Sequence, residues 1–216
     1  MKKIGIMMIT AMILGFTSVN VKAQITDTKA KTILDSVSAA MKTYTTMKIE
    51  FTYTMVNAKT KVNETKSGTI QIKGSKFKLE IGGQTVYCDG KTKWTYIKDD
   101  NEVTINNAST TDDANPLNIL NNYSLNYKAK YIKDVVEGGK TLSVIDMTPI
   151  KGKSYSKVRL NINKAVKQIA SYTIYDKNGS EYTSKVTKFT TNLVIADTTF
   201  TFNKADHPGV TENDMR

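Results

Sequence analysis

Few side chains in the sequence have the chemistry of a catalytic or metal-binding site. His207 is the only His, and it lies in a polar tail over residues 204–216. A hydrolytic triad needs a His beside a nucleophile, and a zinc site needs several His or Cys ligands. Cys88 is the only Cys, so no internal disulfide can form. Burial in a strand is the ordinary role for such a Cys, and a reactive thiol is the alternative. These residues indicate neither an enzyme nor a metal site.

Two acidic pairs are the remaining candidates for chemistry. Asp99-Asp100 and Asp112-Asp113 resemble the carboxylates of a calcium loop or of an acid-base pair, but neither pair has the EF-hand spacing. Solvation of turns explains them better, because Asp favours turns. The sequence contains no nucleophile elbow, phosphate-binding Gly loop or dinucleotide motif. We therefore expect no catalytic residue, no metal ion and no cofactor.

Apolar and polar residues alternate through the stretch 68–105, which predicts consecutive β-strands. A strand with one apolar and one wet face requires this period of two. Asp89-Gly90 and Gly82-Gly83 supply the residues of tight turns between the strands. The stretch therefore predicts an antiparallel meander. The alternating apolar residues are Ile70, Ile72, Phe77, Leu79, Ile81, Trp94, Tyr96, Val103 and Ile105.

The rest of the chain predicts one helix and a further series of strands. Asp27 is a good N-cap for a helix that runs to about Tyr44 and has one apolar face. This face either completes a core or lines a cavity. Strands are indicated from residue 47, with Phe51, Tyr53 and Met55 on one face, through to a last strand over 198–203. About 11 strands are too many for one flat layer, so the sheet must curl.

A short apolar segment interrupts the strands. Asn115-Pro116 is a helix start, because Pro suits the first helical position after an Asn cap. Leu117, Ile119 and Leu120 follow it, and polar residues flank the segment. The pattern fits either a fixed connection that packs once or a flap that covers an apolar surface.

The N-terminus has the pattern of a secretory signal peptide. Lys2 and Lys3 precede an apolar run over residues 4–16, and small residues lead to Ala23. The run is shorter than the roughly 20 residues of a spanning helix. We expect a signal peptide over 1–23 and a single domain over 24–216, exported to the periplasm.

The positive charge of the chain does not indicate nucleic-acid binding. Loss of the three Lys of the predicted signal peptide lowers the formal net charge from +11 to +8. Only Arg159 and Arg216 are Arg, whereas recognition of nucleic acid favours Arg and clustered charge. We interpret the Lys residues as a solvated outer face that also discourages edge-to-edge pairing.

The order of these motifs resembles the LolA-like family, the periplasmic carriers that move lipoproteins to the outer membrane. The likeness rests on Lys73-x-x-x-Phe77, then Asp89-Gly90-Lys91-Thr92-x-Trp94-x-Tyr96, then Asn115-Pro116-Leu117-x-x-Leu120, and finally Phe200-Thr-Phe-Asn with Pro208-Gly209-Val210. Each motif alone is weak, but their order covers nearly the whole chain after the predicted signal peptide.

The resemblance implies a fold and a function. The fold is α+β and mainly β: a strongly curved, incompletely closed antiparallel β-barrel with two or three helices that form a lid over an apolar cavity. The implied function is a monomeric periplasmic carrier of acylated lipoproteins, which receives them from an inner-membrane lipoprotein-releasing transporter and delivers them to an outer-membrane acceptor. Each acyl methylene kept from water contributes about 0.8 kcal/mol.

Twelve apolar residues are the candidates for the lipid-binding surface, although they could also pack against one another as a dry core. The assignment takes all of them to face inward, and a one-residue bulge before Trp94 would turn that residue outward. They are Phe51, Tyr53, Met55, Ile70, Ile72, Phe77, Leu79, Trp94, Tyr96, Leu117, Ile119 and Leu120.

The chain departs from the family at the residue that holds the lid. The resembled carriers commonly place an Arg followed by Pro on the second strand, where the Arg hydrogen-bonds the lid. Lys73 and Gly74 occupy the matching positions here. Lys offers a rotatable point charge instead of a planar fork, so Lys73 is the candidate lid contact.

Three other functions stay open at the level of sequence. The first is a carrier for another amphiphile, such as a phospholipid, a glycolipid or an acylated pigment. The second is a sensor or structural domain whose sheet binds a protein. The third is an acyl hydrolase, which the missing catalytic residues disfavour.

Overall fold

The computed structural model describes residues 27–108, 120 and 123–216. The predicted signal peptide over 1–23 lies outside these residues, and so do Leu117 and Ile119.

The described residues form two α-helices, two short 3₁₀ helices and twelve strands. The helices are α1 (Thr28–Lys42) and α2 (Tyr123–Asn126), and the 3₁₀ helices are Asp197–Phe200 and Lys204–Asp206. The strands are β1 (Met47–Asn57), β2 (Val62–Lys73), β3 (Lys76–Ile81), β4 (Gln84–Cys88), β5 (Thr92–Ile97), β6 (Glu102–Asn107), β7 (Tyr127–Glu137), β8 (Lys140–Pro149), β9 (Tyr155–Asn163), β10 (Gln168–Asp176), β11 (Ser180–Thr191) and β12 (Thr211–Asp214).

All twelve strands belong to one curved sheet that is not closed. Its order is β12-β6-β5-β4-β3-β2-β1-β11-β10-β9-β8-β7, so β7 and β12 are the edge strands. Every neighbouring pair is antiparallel except β12 and β6. The predicted mainly β fold and the meander over 68–105 are confirmed.

Helix α1 packs on the concave face of the sheet. The Asp27 carboxylate accepts hydrogen bonds from the backbone N–H groups of Lys29 and Ala30, which confirms the predicted N-cap. Its buried residues Leu34, Val37 and Met41 meet the inward side chains of β7 to β10. The helix thereby covers one half of the sheet and leaves the other half free for a cavity.

The C-terminal part of the chain differs from the sequence-based expectation. A strand is predicted over 198–203, but a 3₁₀ helix occupies Asp197–Phe200 and buries Phe200. The short strand β12 is not predicted, because all four of its residues are exposed and its sequence has no apolar alternation. It is added to the sheet edge by backbone pairing with β6, which needs no apolar side chain.

No helix in the part of the chain that the structure describes is both long and apolar enough to cross a membrane.

Candidate functional site

The concave face of the sheet contains an apolar cavity of about 350 Å³. It lies over the centre of the sheet, beside the last turn of α1, which contributes Met41. Its apolar wall comes from Phe51, Ile70, Leu79, Ile81, Val186 and Phe189. Its polar wall comes from Tyr53, Lys66, Gln84, Tyr172 and Ser184.

A β-bulge gives the cavity its wall on β11. Ile49 pairs with Phe189, and Phe51 pairs with Val186, because the register shifts between Glu50 and Phe51. Val186 and Phe189 are three residues apart, so regular alternation would place them on opposite faces. The extra residue in β11 turns both side chains toward the cavity. The sequence does not predict this pair, because the bulge interrupts the period of two by which residues of one strand face are predicted.

A glycine makes room for the ring of Phe51. Gly68 on β2 pairs with Phe51 on β1. A Cβ atom at Gly68 would lie 2.6 Å from Phe51 Cζ and 3.0 Å from the Glu80 backbone oxygen. Because Gly68 has no side chain, the Phe51 ring can lie against the β2 backbone. This contact forms one wall of the cavity.

The tyrosine hydroxyls of the cavity are neutral at ordinary pH. Burial raises the pKa of Tyr53, and the nearby Tyr182 and Tyr172 add to that effect. Burial also raises the pKa of Tyr172, which is hydrogen-bonded to Ser184. These residues supply hydrogen-bonding groups to the cavity without charge.

Lys66 is the one charged side chain in the described wall of the cavity. Its carbon chain lies across Gly82, where a Cβ atom would be 2.7 Å from Lys66 Cδ. Glu64 Oε2 is its ion-pair partner at 3.8 Å, and both side chains are about half exposed. The Lys66 ammonium therefore stands at the solvent side of an apolar pocket.

The structure brings together only part of the predicted lipid-binding set. Phe51, Tyr53, Ile70 and Leu79 line the cavity. Ile72 and Phe77 are almost fully buried in the adjoining core with Cys88. Met55 follows Tyr53 on the same face of β1 and lies outside the cavity wall.

Trp94 and Tyr96 lie on the other face of the sheet, which corrects the expectation that they face inward. The β4–β5 hairpin pairs Trp94 with Tyr87 and Tyr96 with Thr85. These partners alternate with Val86 and Cys88, whose side chains join the core beside the cavity. Trp94 and Tyr96 instead pack with Phe202 and Val210. Both of these residues belong to the part of the chain that follows β11, residues 192–216, which we call the C-terminal segment. Alternation within a strand does not reveal which of the two faces is concave.

The C-terminal segment also contains His207, which lies in a polar tail of the sequence. Its ring is stacked on Phe202, with 4.7 Å between centroids, and lies 4.2 Å from the Tyr96 centroid. His207 is a half-buried member of the aromatic cluster on the outer face.

Leu120 is the one residue of the predicted lid that the structure describes. It is 3% exposed and packs in the core beneath α1. It also borders a second cavity of about 210 Å³, together with Met41, Tyr44 and Met47. Met41 therefore lies between the two cavities.

Lys73 contacts the C-terminal segment. Its ammonium donates to the Ile195 carbonyl at 3.1 Å and to Asp197 Oδ1 at 2.8 Å. Lys76 donates to Asp197 Oδ2 at 2.7 Å. The two ammonium groups lower the pKa of Asp197 to about 2. A contact of Lys73 with a lid stays a prediction.

Acidic and sulfur ligands are not clustered for metal binding in the regions that the structure describes. No three His, Cys, Asp or Glu residues there are close enough to hold a metal ion.

Comparison with solved structures identifies similar folds. An uncharacterized conserved protein from Thermus thermophilus superposes with a TM-score of 0.60 at 12% identity, over 86% of this chain and 99% of that chain. At this identity the similarity concerns the fold alone. A LolA superfamily protein from Nitrosomonas europaea has a TM-score of 0.44 at 13% identity, over 80% of this chain and 97% of that chain. The lipoprotein LppX of Mycobacterium tuberculosis has a TM-score of 0.47 at 12% identity, over 77% of this chain and 99% of that chain. Both of these TM-scores are too low to support an argument.

Comparison by sequence identifies the family. No curated protein matches the chain significantly. The family model described as "Outer membrane lipoprotein carrier protein LolA" matches residues 42–203, which include eleven of the twelve strands and the whole described wall of the apolar cavity on the concave face except Met41. The chain belongs to the LolA family of outer membrane lipoprotein carrier proteins.

Proposed function

We propose that this chain is a periplasmic carrier that shields acyl chains of lipoproteins in the concave cavity while they pass from the inner to the outer membrane. The observation that carries the proposal is the apolar cavity of about 350 Å³ on the concave face of a chain of the LolA family. Phe51, Leu79, Val186 and Phe189 form a wall that contacts methylene groups without hydrogen-bonding them. Each methylene transferred from water to this wall contributes about 0.8 kcal/mol.

The proposed activity is binding and release by a monomer, without chemical conversion of the ligand. An acyl chain is held by removal of apolar surface from water, which requires neither a nucleophile nor a cofactor. Family membership supports this proposal, because the matching family is one of carrier proteins. The partners implied by that membership are an inner-membrane lipoprotein-releasing transporter and an outer-membrane acceptor.

The size of the cavity favours a second candidate, a carrier of a smaller amphiphile. Ligand pockets range from about 300 to 1,000 Å³, and this cavity of about 350 Å³ is near the lower end of that range. Such a volume fits one acyl chain better than several. A free amphiphile with a single chain therefore has as good a steric fit as a lipoprotein anchor.

Native mass spectrometry of protein purified from its own periplasm tests the proposal and separates the two candidates. A mass increment equal to an acylated protein supports the lipoprotein carrier. An increment equal to a small lipid supports the second candidate. Protein that carries neither, and that also fails to take up added acylated peptide or lipid, would contradict both.

A further inference from the structure

We propose that the cavity selects a single-chain amphiphile with an anionic head group, and that Lys66 is the residue that recognises this head group. The inference rests on the proposed binding of acyl chains in the cavity. It adds the chemical class of the ligand and a specificity residue.

The Lys66 side chain runs along the solvent side of the cavity. Lys66 pairs with Tyr53 across β1 and β2, so its side chain is on the concave face of the sheet. It lies two residues before Gly68, which is the first β2 residue paired with β3. The carbon chain of Lys66 then crosses the β3–β4 turn, and its Nζ would be 3.5 Å from a Cβ atom at Gly82. This path places the ammonium at the rim, where an acyl chain that fills the pocket would end.

The β3–β4 turn under Lys66 leaves space for this path of the side chain. Gly82 has a φ of +55° and no side chain. A Cβ atom there would be 2.7 Å from Lys66 Cδ, so any other residue would displace the carbon chain of Lys66. The same positive φ also favours glycine. The turn thus lets the Lys66 side chain lie flat against the rim.

Two carboxylates lie near the rim of the cavity. Glu64 is 3.8 Å from the Lys66 ammonium, beyond hydrogen-bond distance, and both side chains are about half exposed. Asp99 is close to the second residue of the β3–β4 turn, with Oδ2 3.9 Å from a Cβ atom at Gly83. An anionic head group would therefore bind the ammonium directly, while the two carboxylates would limit the gain in affinity. A carboxylate and a phosphate monoester share this chemistry.

Binding of two twelve-carbon amphiphiles tests the inference. Dodecanoate and dodecanol each have a chain of twelve carbon atoms, and only dodecanoate is charged. We expect the intact protein to bind dodecanoate about fivefold more tightly, which is the size of a partly exposed ion pair. The preference should fall at high salt because screening weakens exposed pairs. Dodecyl phosphate in a parallel titration distinguishes a phosphate preference from a carboxylate preference.

Substitutions at the rim of the cavity distinguish an effect of the Lys66 charge on ligand binding from an effect of its packing. Lys66→Gln should abolish the preference for dodecanoate over dodecanol, whereas Glu64→Gln should increase this preference. Lys98→Gln is the matched control. Lys98 follows strand β5, and its backbone N–H donates to the Gly83 carbonyl, so it lies at the same turn as Lys66. Its side chain is outside the cavity wall. Melting temperatures verify that each variant is folded.

The outcomes distinguish this inference from the proposed function. If the intact protein binds both amphiphiles equally and Lys66→Gln changes neither affinity, the inference is wrong while acyl binding stands. Equal weakening of both ligands by Lys66→Gln would show that Lys66 only packs, and would also overturn the inference. If neither dodecanoate nor dodecanol nor an acylated peptide binds, the cavity is not an acyl site and the proposed function fails as well.

Discussion

Trp94 is the only Trp of the chain, and its side chain reports on the face of the sheet opposite the cavity. It packs against the cluster of Tyr96, Val103, Phe202 and Val210. A ligand in the cavity is separated from this cluster by the thickness of the sheet. We therefore expect the fluorescence emission of Trp94 to keep its wavelength when dodecanol or an acylated peptide is added.

A variant of the outer cluster serves as the positive control for this measurement. Phe202→Ala should shift the emission of Trp94 to the red, because water replaces the Phe202 ring. Removal of a buried Phe side chain costs about 3–5 kcal/mol, so the spectra must be recorded well below the melting temperature. A blue shift of the unsubstituted protein on loading would place Trp94 beside the ligand and contradict the two-face arrangement.

At the scale of single residues, alternation within a strand predicts which residues share a face of the sheet. It does not predict whether that face is the concave or the outer one. The sequence predicts Phe51 and Tyr53 together, and both line the cavity. Trp94 shows the same alternation on β5 but lies on the other face, because face is set by register across the hairpin. Val186 and Phe189 could not be predicted, since the bulge that aligns them has no distinct sequence signal.

The C-terminal segment is the element that closes the outer face of the sheet. Phe200 and Phe202 are buried, and β12 adds a parallel strand to β6. Asp197 joins this segment to the β2–β3 hairpin through Lys73 and Lys76. The segment is thus held by apolar burial, by backbone pairing and by an exposed ion-pair group.

The contribution of Asp197 to the stability of the folded protein should depend on pH. The pKa of Asp197 in the folded protein is about 2, below the ordinary value of 3.8. A carboxyl group whose pKa is lowered by folding stabilises the folded state above its ordinary pKa, and this contribution is lost as the pH falls through the folded pKa. We expect Asp197→Asn to lower the melting temperature slightly at pH 6, with the difference disappearing between about pH 4 and pH 2.

The comparison of Asp197→Asn with the unsubstituted protein isolates this group from other carboxyl groups. The pKa values of Asp134 and Asp214 are also about 2, and they titrate equally in both proteins. The melting curves should therefore differ by the Asp197 contribution alone. If the difference in melting temperature between the two proteins stays constant down to pH 2, the ion pairs of Asp197 do not stabilise the C-terminal segment.

At the scale of elements, the sequence predicts the hairpin turns, because tight turns require residues such as Gly that adopt positive φ. Gly82, Gly83 and Gly90 adopt positive φ at hairpin turns that the sequence predicts. The 3₁₀ helix Asp197–Phe200 was missed because Phe200 and Phe202 also fit the alternation of a strand. Strand β12 carries no local signal, since only its backbone pairs with the sheet.

At the scale of the molecule, one curved sheet separates two apolar regions. The concave region combines a packed core under α1 with a cavity near the centre of the sheet. The outer region is covered by the chain's own C-terminal segment. The sequence predicts the curvature of the sheet, because the number of strands exceeds what a flat layer supports, and the family resemblance implies that the sheet is incompletely closed. The division of apolar residues between the two faces depends on tertiary packing and is predicted only in part.

The affinity of a cavity-filling variant for an acyl ligand tests the central claim most directly. Val186→Phe places a ring in the cavity wall, whereas Val166→Phe adds the same ring at an exposed turn, where Val166 is 50% exposed. We predict that Val186→Phe weakens binding of dodecanol and of an acylated peptide at least about fivefold, since overpacking a filled site costs roughly 1–3 kcal/mol. Val166→Phe should bind like the unsubstituted protein, and both variants should keep their folded spectra. Equal affinity of all three proteins for the acyl ligands would show that the ligand does not occupy this cavity.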